Sequence, residues 1–208
     1  MTTFAGGKVR CLLAEAGNLY AGTDANGVFI SRDGGEVWTP LREGIPAEGQ
    51  VFALAMSGGK LFAALYSRGL YGWDAKQERW EKTGPVTPLA LATVGDTLIA
   101  GHNPGGLHWS IDSGVSWSKG AASKAGDFAA ALSNDGGEIS GEAPVWDLAA
   151  NDELIFAGAT KGIYYSEDRG RSWVRARTGL PQESPGISFL LKRDLYLAGT
   201  LIAGQDDR

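Results

Sequence analysis

The sequence predicts an all-β chain of repeated four-stranded antiparallel units, the architecture of a β-propeller. Three observations predict it. An octapeptide of the form Ser-x-Asp-x-Gly-x-x-Trp occurs three times. A short apolar run opened by glycine precedes each copy. The surrounding pattern returns at intervals of about 40 residues, the repeat length of a propeller blade.

The copies are Ser31-Arg32-Asp33-Gly34-Gly35-Glu36-Val37-Trp38, Ser110-Ile111-Asp112-Ser113-Gly114-Val115-Ser116-Trp117 and Ser166-Glu167-Asp168-Arg169-Gly170-Arg171-Ser172-Trp173. Gly27–Ile30, Gly106–Trp109 and Gly162–Tyr165 precede them, so each copy reads as strand, turn, strand. The Asp carboxylate can accept from backbone N–H groups one to three residues on. Glycine takes a positive φ at no steric cost. The Ser hydroxyl bonds locally, and Trp covers the turn while keeping one donor to satisfy. Ser31, Asp33, Gly35 and Trp38, with Ser110, Asp112, Gly114 and Trp117 and with Ser166, Asp168, Gly170 and Trp173, are therefore read as hairpin ties. A catalytic or metal-binding role for the three aspartates is the less economical reading, because each copy is a self-contained turn.

In order, the chain reads as a single domain, 1–208, with repeats at 8–46, 47–85, 86–143, 144–184 and an incomplete 185–208. The first has an apolar run Val9–Leu13, then Asn18–Thr23, then Gly27–Ile30 and the box, with Trp38 opening the last strand. The second follows 42 residues later, with Leu61-Phe62-Ala63, Gly69 and Trp80 in the equivalent places. Its box has decayed to Trp73-Asp74-Ala75-Lys76-Gln77-Glu78-Arg79-Trp80, in which Gly is gone and Trp has kept its place. The third and fourth repeats carry Leu98–Gly101 and Leu154–Gly158 before their boxes. Those boxes stand 56 residues apart, which implies an insertion at 118–143. The fifth repeat shows Ile187–Leu191 and Leu195–Thr200. Strands apolar on both faces fit blades packed between neighbours; a linear solenoid would use a shorter period. Four complete units and two strands do not close a ring by simple repetition; either the ring borrows strands irregularly or, the favoured expectation, the chain is a piece of a larger propeller of six or more blades.

Composition narrows the function. A formal net charge of −5 argues against a general nucleic-acid-binding surface. Arg169, Arg171, Arg175 and Arg177 lie beside Glu167 and Asp168 and read as a solvated face. Cys11 is the sole cysteine, so no intrachain disulfide forms, and it reads as a small core residue. There is no 18-residue apolar run to span a membrane. No signal peptide is visible, which places the protein in the cytoplasm if Met1 is its native start and otherwise leaves its location open. His102 and His108 lack partners at metal-ligand spacing, and no phosphate-cradling loop or nucleophile elbow is present. No cofactor and no metal are expected.

The octapeptide is the Asp-box, or bacterial neuraminidase repeat. On its three copies the chain resembles Asp-box β-propeller proteins, a group with sialidases, sortilin-type receptors, xyloglucan-degrading hydrolases and bacterial repeat proteins among its members. The resemblance is specific for fold and weak for activity, since members share the box and differ in what they do. It implies that ligands sit on the face opposite the boxes, among the second-to-third-strand loops and the blade-to-blade loops. Candidate ligand-binding residues there are Asp24, Asn26, Tyr66, Arg68, His102, Asn103 and Lys161. The insertion holds Asp127, Glu138 and Glu142, the candidate catalytic carboxylates, although a solvated loop is the simpler reading of it. Sialidases of this group carry an Arg-Ile-Pro motif and an arginine trio. Here the nearest match is Gly44-Ile45-Pro46, and Arg68 is the one arginine on the strand-connecting loops of that face. The expectation is a non-catalytic binding or scaffold module for a protein or carbohydrate ligand; the alternative is a glycoside hydrolase acting on a polysaccharide or sialoside.

Overall fold

The computed structural model describes residues 7–103, 106–119, 144–151, 153–160, 162–170, 172–176, 186–192 and 195–200. Among these residues every regular element is a strand. The first sheet is β1 (Val9–Glu15), β2 (Asn18–Thr23), β3 (Val28–Ser31) and β4 (Thr39–Leu41), in that order. The second is β5 (Val51–Ser57), β6 (Lys60–Leu65), β7 (Gly69–Asp74) and β8 (Arg79–Lys82). The third is β9 (Pro88–Val94), β10 (Thr97–His102), β11 (Leu107–Ser110) and β12 (Ser118–Lys119). The fourth is β13 (Val145–Ala150), β14 (Ile155–Ala159), β15 (Gly162–Ser166) and β16 (Val174–Arg175). A two-stranded sheet, β17 (Gly186–Lys192) with β18 (Leu195–Thr200), follows. Each is a meander in sequence order, as propeller blades are. The chain divides into two compact units, Met1–Ala100 with Trp109–Trp117 and Gly101–His108 with Ser118–Arg208.

Blades form because their middle strands are apolar on both faces. In β6, Leu61-Phe62-Ala63-Ala64-Leu65 is buried throughout. Side chains alternate across a strand, so consecutive apolar residues supply two cores. Leu61, Ala63 and Leu65 join Tyr20, Val28 and Ile30 of the first blade. Phe62 and Ala64 join Leu91, Leu98 and Ala100 of the third. Burial of this kind contributes about 25 cal/mol per Å2 of apolar surface and holds neighbouring blades together. Gly22 shows how closely they approach: a Cβ there would lie 2.6 Å from Cγ1 of Val51. In the second unit, a Cβ at Gly101 would lie 2.7 Å from Cγ1 of Val145.

One boundary differs from expectation. The box tryptophan does not open the last strand, because β4, β12 and β16 begin one residue later. Its indole is tied back into the turn, as described below. Proline at position 40 is accommodated because β4 is the outer strand of its sheet.

A second feature was not expected. β1, β5, β13 and β17 each carry a register shift near the start, between Val9 and Cys11, Val51 and Ala53, Val145 and Asp147, and Gly186 and Ser188. A bulge inserts one unpaired residue and re-aims its side chain. In β1, β5 and β13 the residues so placed are Arg10, Phe52 and Trp146.

Candidate functional site

The three boxes form one hydrogen-bonded turn. In the first, Ser31 Oγ donates to Asp33 Oδ1 at 2.7 Å, and Gly35 N donates to Ser31 Oγ at 2.8 Å. Val37 N donates to Asp33 Oδ1 at 3.0 Å. Ser110, Asp112, Gly114 and Ser116 repeat this set, as do Ser166, Asp168, Gly170 and Ser172. The carboxylate thus reaches four residues on, one beyond the expected range, because two successive residues turn left-handed. These are Gly34 and Gly35 at φ 76° and 101°, Ser113 and Gly114 at 56° and 82°, and Arg169 and Gly170 at 60° and 82°. Each Trp indole then donates to its own box-glycine carbonyl, Trp38 to Gly35 and Trp117 to Gly114 at 3.0 Å and Trp173 to Gly170 at 3.2 Å.

The bonds set the electrostatics. The Val37 amide, then the Ser31 hydroxyl, hold the Asp33 carboxyl below its usual range. Asp112 goes lower, to about 2, chiefly because Ser116 donates through its hydroxyl at 2.5 Å as well as through its amide. Position seven of the first box is valine and lacks that hydroxyl. Each box carboxylate accepts within its own turn, Asp33 through Oδ1 and Asp112 and Asp168 through both oxygens.

The other end of the strands is built differently. Asp24 N donates to the Lys8 carbonyl at 3.0 Å, and Tyr66 N to the Gln50 carbonyl at 2.9 Å. These two equivalent bonds pin the second-to-third-strand loops of the first two sheets against the starts of β1 and β5. The bulged residue of each of these strands then meets a loop residue fourteen positions on. Arg10 Nε donates to Asp24 Oδ1 in an ion pair. Phe52 stacks on Tyr66, with centroids 4.9 Å apart and planes at 22°. In the second unit, Trp146 Nε1 donates to Thr160 Oγ1 at 3.2 Å. In the first unit the pairs join, since the Arg10 guanidinium lies 4.6 Å above the Phe52 ring. Asp24, Arg10, Phe52 and Tyr66 make one continuous ladder, and Tyr66 ends it 46% exposed. A π face beside a guanidinium and a carboxylate can stack on an apolar ligand face while bonding its polar edge.

Among the candidates, Asp24 and Tyr66 are therefore brought together. Arg68 is exposed beside Tyr66 in sequence, and Asn103 is exposed at the end of β10. Asn26 lies in the turn that Thr23 closes, its backbone N–H donating to Thr23 Oγ1 at 3.1 Å. His102 is only 7% exposed and packs edge-on to His108, with ring centroids 4.4 Å apart. Asp127, Glu138, Glu142 and Lys161 lie outside the described residues, as do Arg171 and Arg177. Arg10 and Phe52 were missed. The signal was the recurrent spacing of fourteen, Arg10 to Asp24, Phe52 to Tyr66 and Trp146 to Thr160. Among the described residues, no group of three or more His, Cys, Asp or Glu side chains could hold a metal ion. Nor is any described helix long and apolar enough to cross a membrane.

The four-stranded meanders, three of them with tied turns, are built as the blades of a β-propeller. No family model matches the chain. A xyloglucanase of Paenibacillus is 27% identical over 187 residues, covering 82% of this chain and 17% of that protein. The chain thus spans about a sixth of the length of this curated relative. The structure of a GH74 xyloglucanase from Xanthomonas campestris is 23% identical with a TM-score of 0.63, covering 88% of this chain and 32% of that one. A YCF48 protein bound to a D1 peptide is 19% identical with a TM-score of 0.59, covering 92% of this chain and 60% of that one. The chain has the fold of these Asp-box-type propeller proteins.

Proposed function

We propose that the chain is a non-catalytic binding module that takes a carbohydrate or protein ligand on the edge opposite the boxes. The Asp24–Arg10–Phe52–Tyr66 ladder carries this reading. It presents an exposed aromatic ring on a rigid support, with polar groups alongside, at the strand ends where the loops cluster. Its carboxylate is engaged by Arg10, which suits holding a ligand more than transferring a proton. Relatives of both ligand kinds exist, one named for xyloglucan and one bound to a peptide.

The rival reading is glycoside hydrolysis, supported by the Paenibacillus relative, with Asp127, Glu138 and Glu142 as its carboxylates. One experiment separates the two. The purified chain is titrated with a panel of glycans and peptides while reducing-end release is followed in parallel. The expected result is saturable binding without turnover for at least one ligand of the panel whose affinity falls about tenfold in Tyr66→Ala. Reducing-end release that disappears in Asp127→Asn or Glu138→Gln overturns the proposal.

A further inference from the structure

At the box end of the first two blades, away from Tyr66, lies a cleft of about 700 Å3. The decayed second box contributes Trp73, Ala75 and Glu78 to its lining. Ser31, Ser110 and Ser166 are each 1% exposed and hold their box glycines. At the equivalent place the second blade has Trp73. The hairpin there runs straight, with Trp73 paired to Trp80 and Asp74 to Arg79, and the Asp74 carboxylate ties only the short turn beyond. The Trp73 indole sits edge-on to Trp80 at 5.3 Å and forms a wall of the cleft.

The lining specifies a ligand. The buried side chains of Tyr20, Ile30 and Leu61 make an apolar floor. Above it stand two arginines, Arg32 and Arg42, and two glutamates, Glu43 and Glu78, all exposed. The rim charges balance, so a charged ligand of either sign meets as much repulsion as attraction. The guanidinium forks donate and the carboxylates accept, which suits hydroxyl groups that do both. An indole wall and an apolar floor require that the same ligand have an apolar face. A pyranose combines these properties, and the volume falls within the about 300–1,000 Å3 usual for ligand sites. We infer that this cleft binds a neutral oligosaccharide, at a site separate from the Tyr66 edge.

The test is calorimetric titration of the full chain with cellotetraose, xylotetraose and mannotetraose as neutral probes. Tetragalacturonate and a chitosan tetramer serve as the anionic and cationic ones. Three variants accompany it. Ala75→Trp fills the cleft from an exposed turn position. Glu78→Gly removes a rim acceptor at a residue already at φ 51°, where glycine fits. Tyr66→Ala removes the opposite edge. At least one neutral tetrasaccharide should bind, about tenfold or more tighter than either charged probe. Ala75→Trp should abolish that binding, Glu78→Gly should weaken it about threefold or more, and Tyr66→Ala should leave it intact. The inference falls if no neutral tetrasaccharide binds or if a charged probe binds as tightly. It also falls if binding is lost in Tyr66→Ala and kept in Ala75→Trp and Glu78→Gly, a pattern that instead supports the ladder.

Discussion

The indole nitrogen of Trp80 donates to the carbonyl of Leu41 at 2.9 Å, so the anchor of the second blade is tied to the outer strand of the first. The amide of Trp80 also donates to the Glu43 carbonyl, at 2.7 Å. Trp38, Trp117 and Trp173 satisfy their indoles within their own boxes. With its box glycine gone, Trp80 finds its acceptor across the blade boundary. It is 1% exposed, whereas Trp38 and Trp117 are half-buried. Trp80→Ala should cost about 3–5 kcal/mol in urea unfolding, and Trp38→Ala clearly less. Trp80→Phe, which keeps most of the apolar area, should still cost about 1 kcal/mol through the unpaired carbonyl. Equal costs at Trp80 and Trp38 would deny the cross-blade tie.

Gly44 seals the same junction. Its φ is 84°, and a Cβ there would collide with the Trp80 backbone carbonyl. Backbone cannot swing aside as a flexible side chain can. Gly44→Ala should therefore destabilise the chain by about 1–3 kcal/mol, through overpacking together with left-handed strain. Gly17→Ala is the control for strain alone, since Gly17 has φ 79° and open space around it. The difference in urea midpoint between the two variants reads the collision.

Acid should loosen the third box late. Asp112 has a folded-state carboxyl at about 2, below its ordinary 3.8. A depressed carboxyl contributes stability that is fully present above the unfolded value and lost as pH falls through the folded one. The loss therefore falls between about pH 4 and pH 2. Ser116→Ala should raise the Asp112 midpoint, and Val37→Ser should lower that of Asp33, both read by carboxyl NMR titration. No movement of either midpoint would remove the seventh-position hydroxyl as the cause.

Arg169 is an exposed residue held at φ 60°, at the place where the first box uses Gly34. A left-handed conformation costs a residue with a Cβ about 1–2 kcal/mol, which exceeds the about 0.4–1 kcal/mol that glycine's freer unfolded chain forfeits. Arg169→Gly should therefore stabilise the fold by about 0.5 kcal/mol. A lowered melting temperature would count against the argument.

The blades were legible in the sequence because their signals are local. A box closes its bonds within eight residues, and the both-face burial of Leu61–Leu65 is written as an unbroken apolar run. Asp24 and Tyr66 were legible as loop residues for the same reason. Their partners were not. Arg10 and Phe52 stand in strands where alternation says nothing of a bulge, and only the register shift turns them toward the loops. The acceptor of Trp80 and the cleft beside Trp73 depend on how one blade seats against the next. The sequence by itself determined the repeating unit, since backbone turns and apolar periodicity are properties of neighbouring residues. Tertiary structure decided which side chains meet across units, since that depends on bulges and close approaches between strands some forty residues apart.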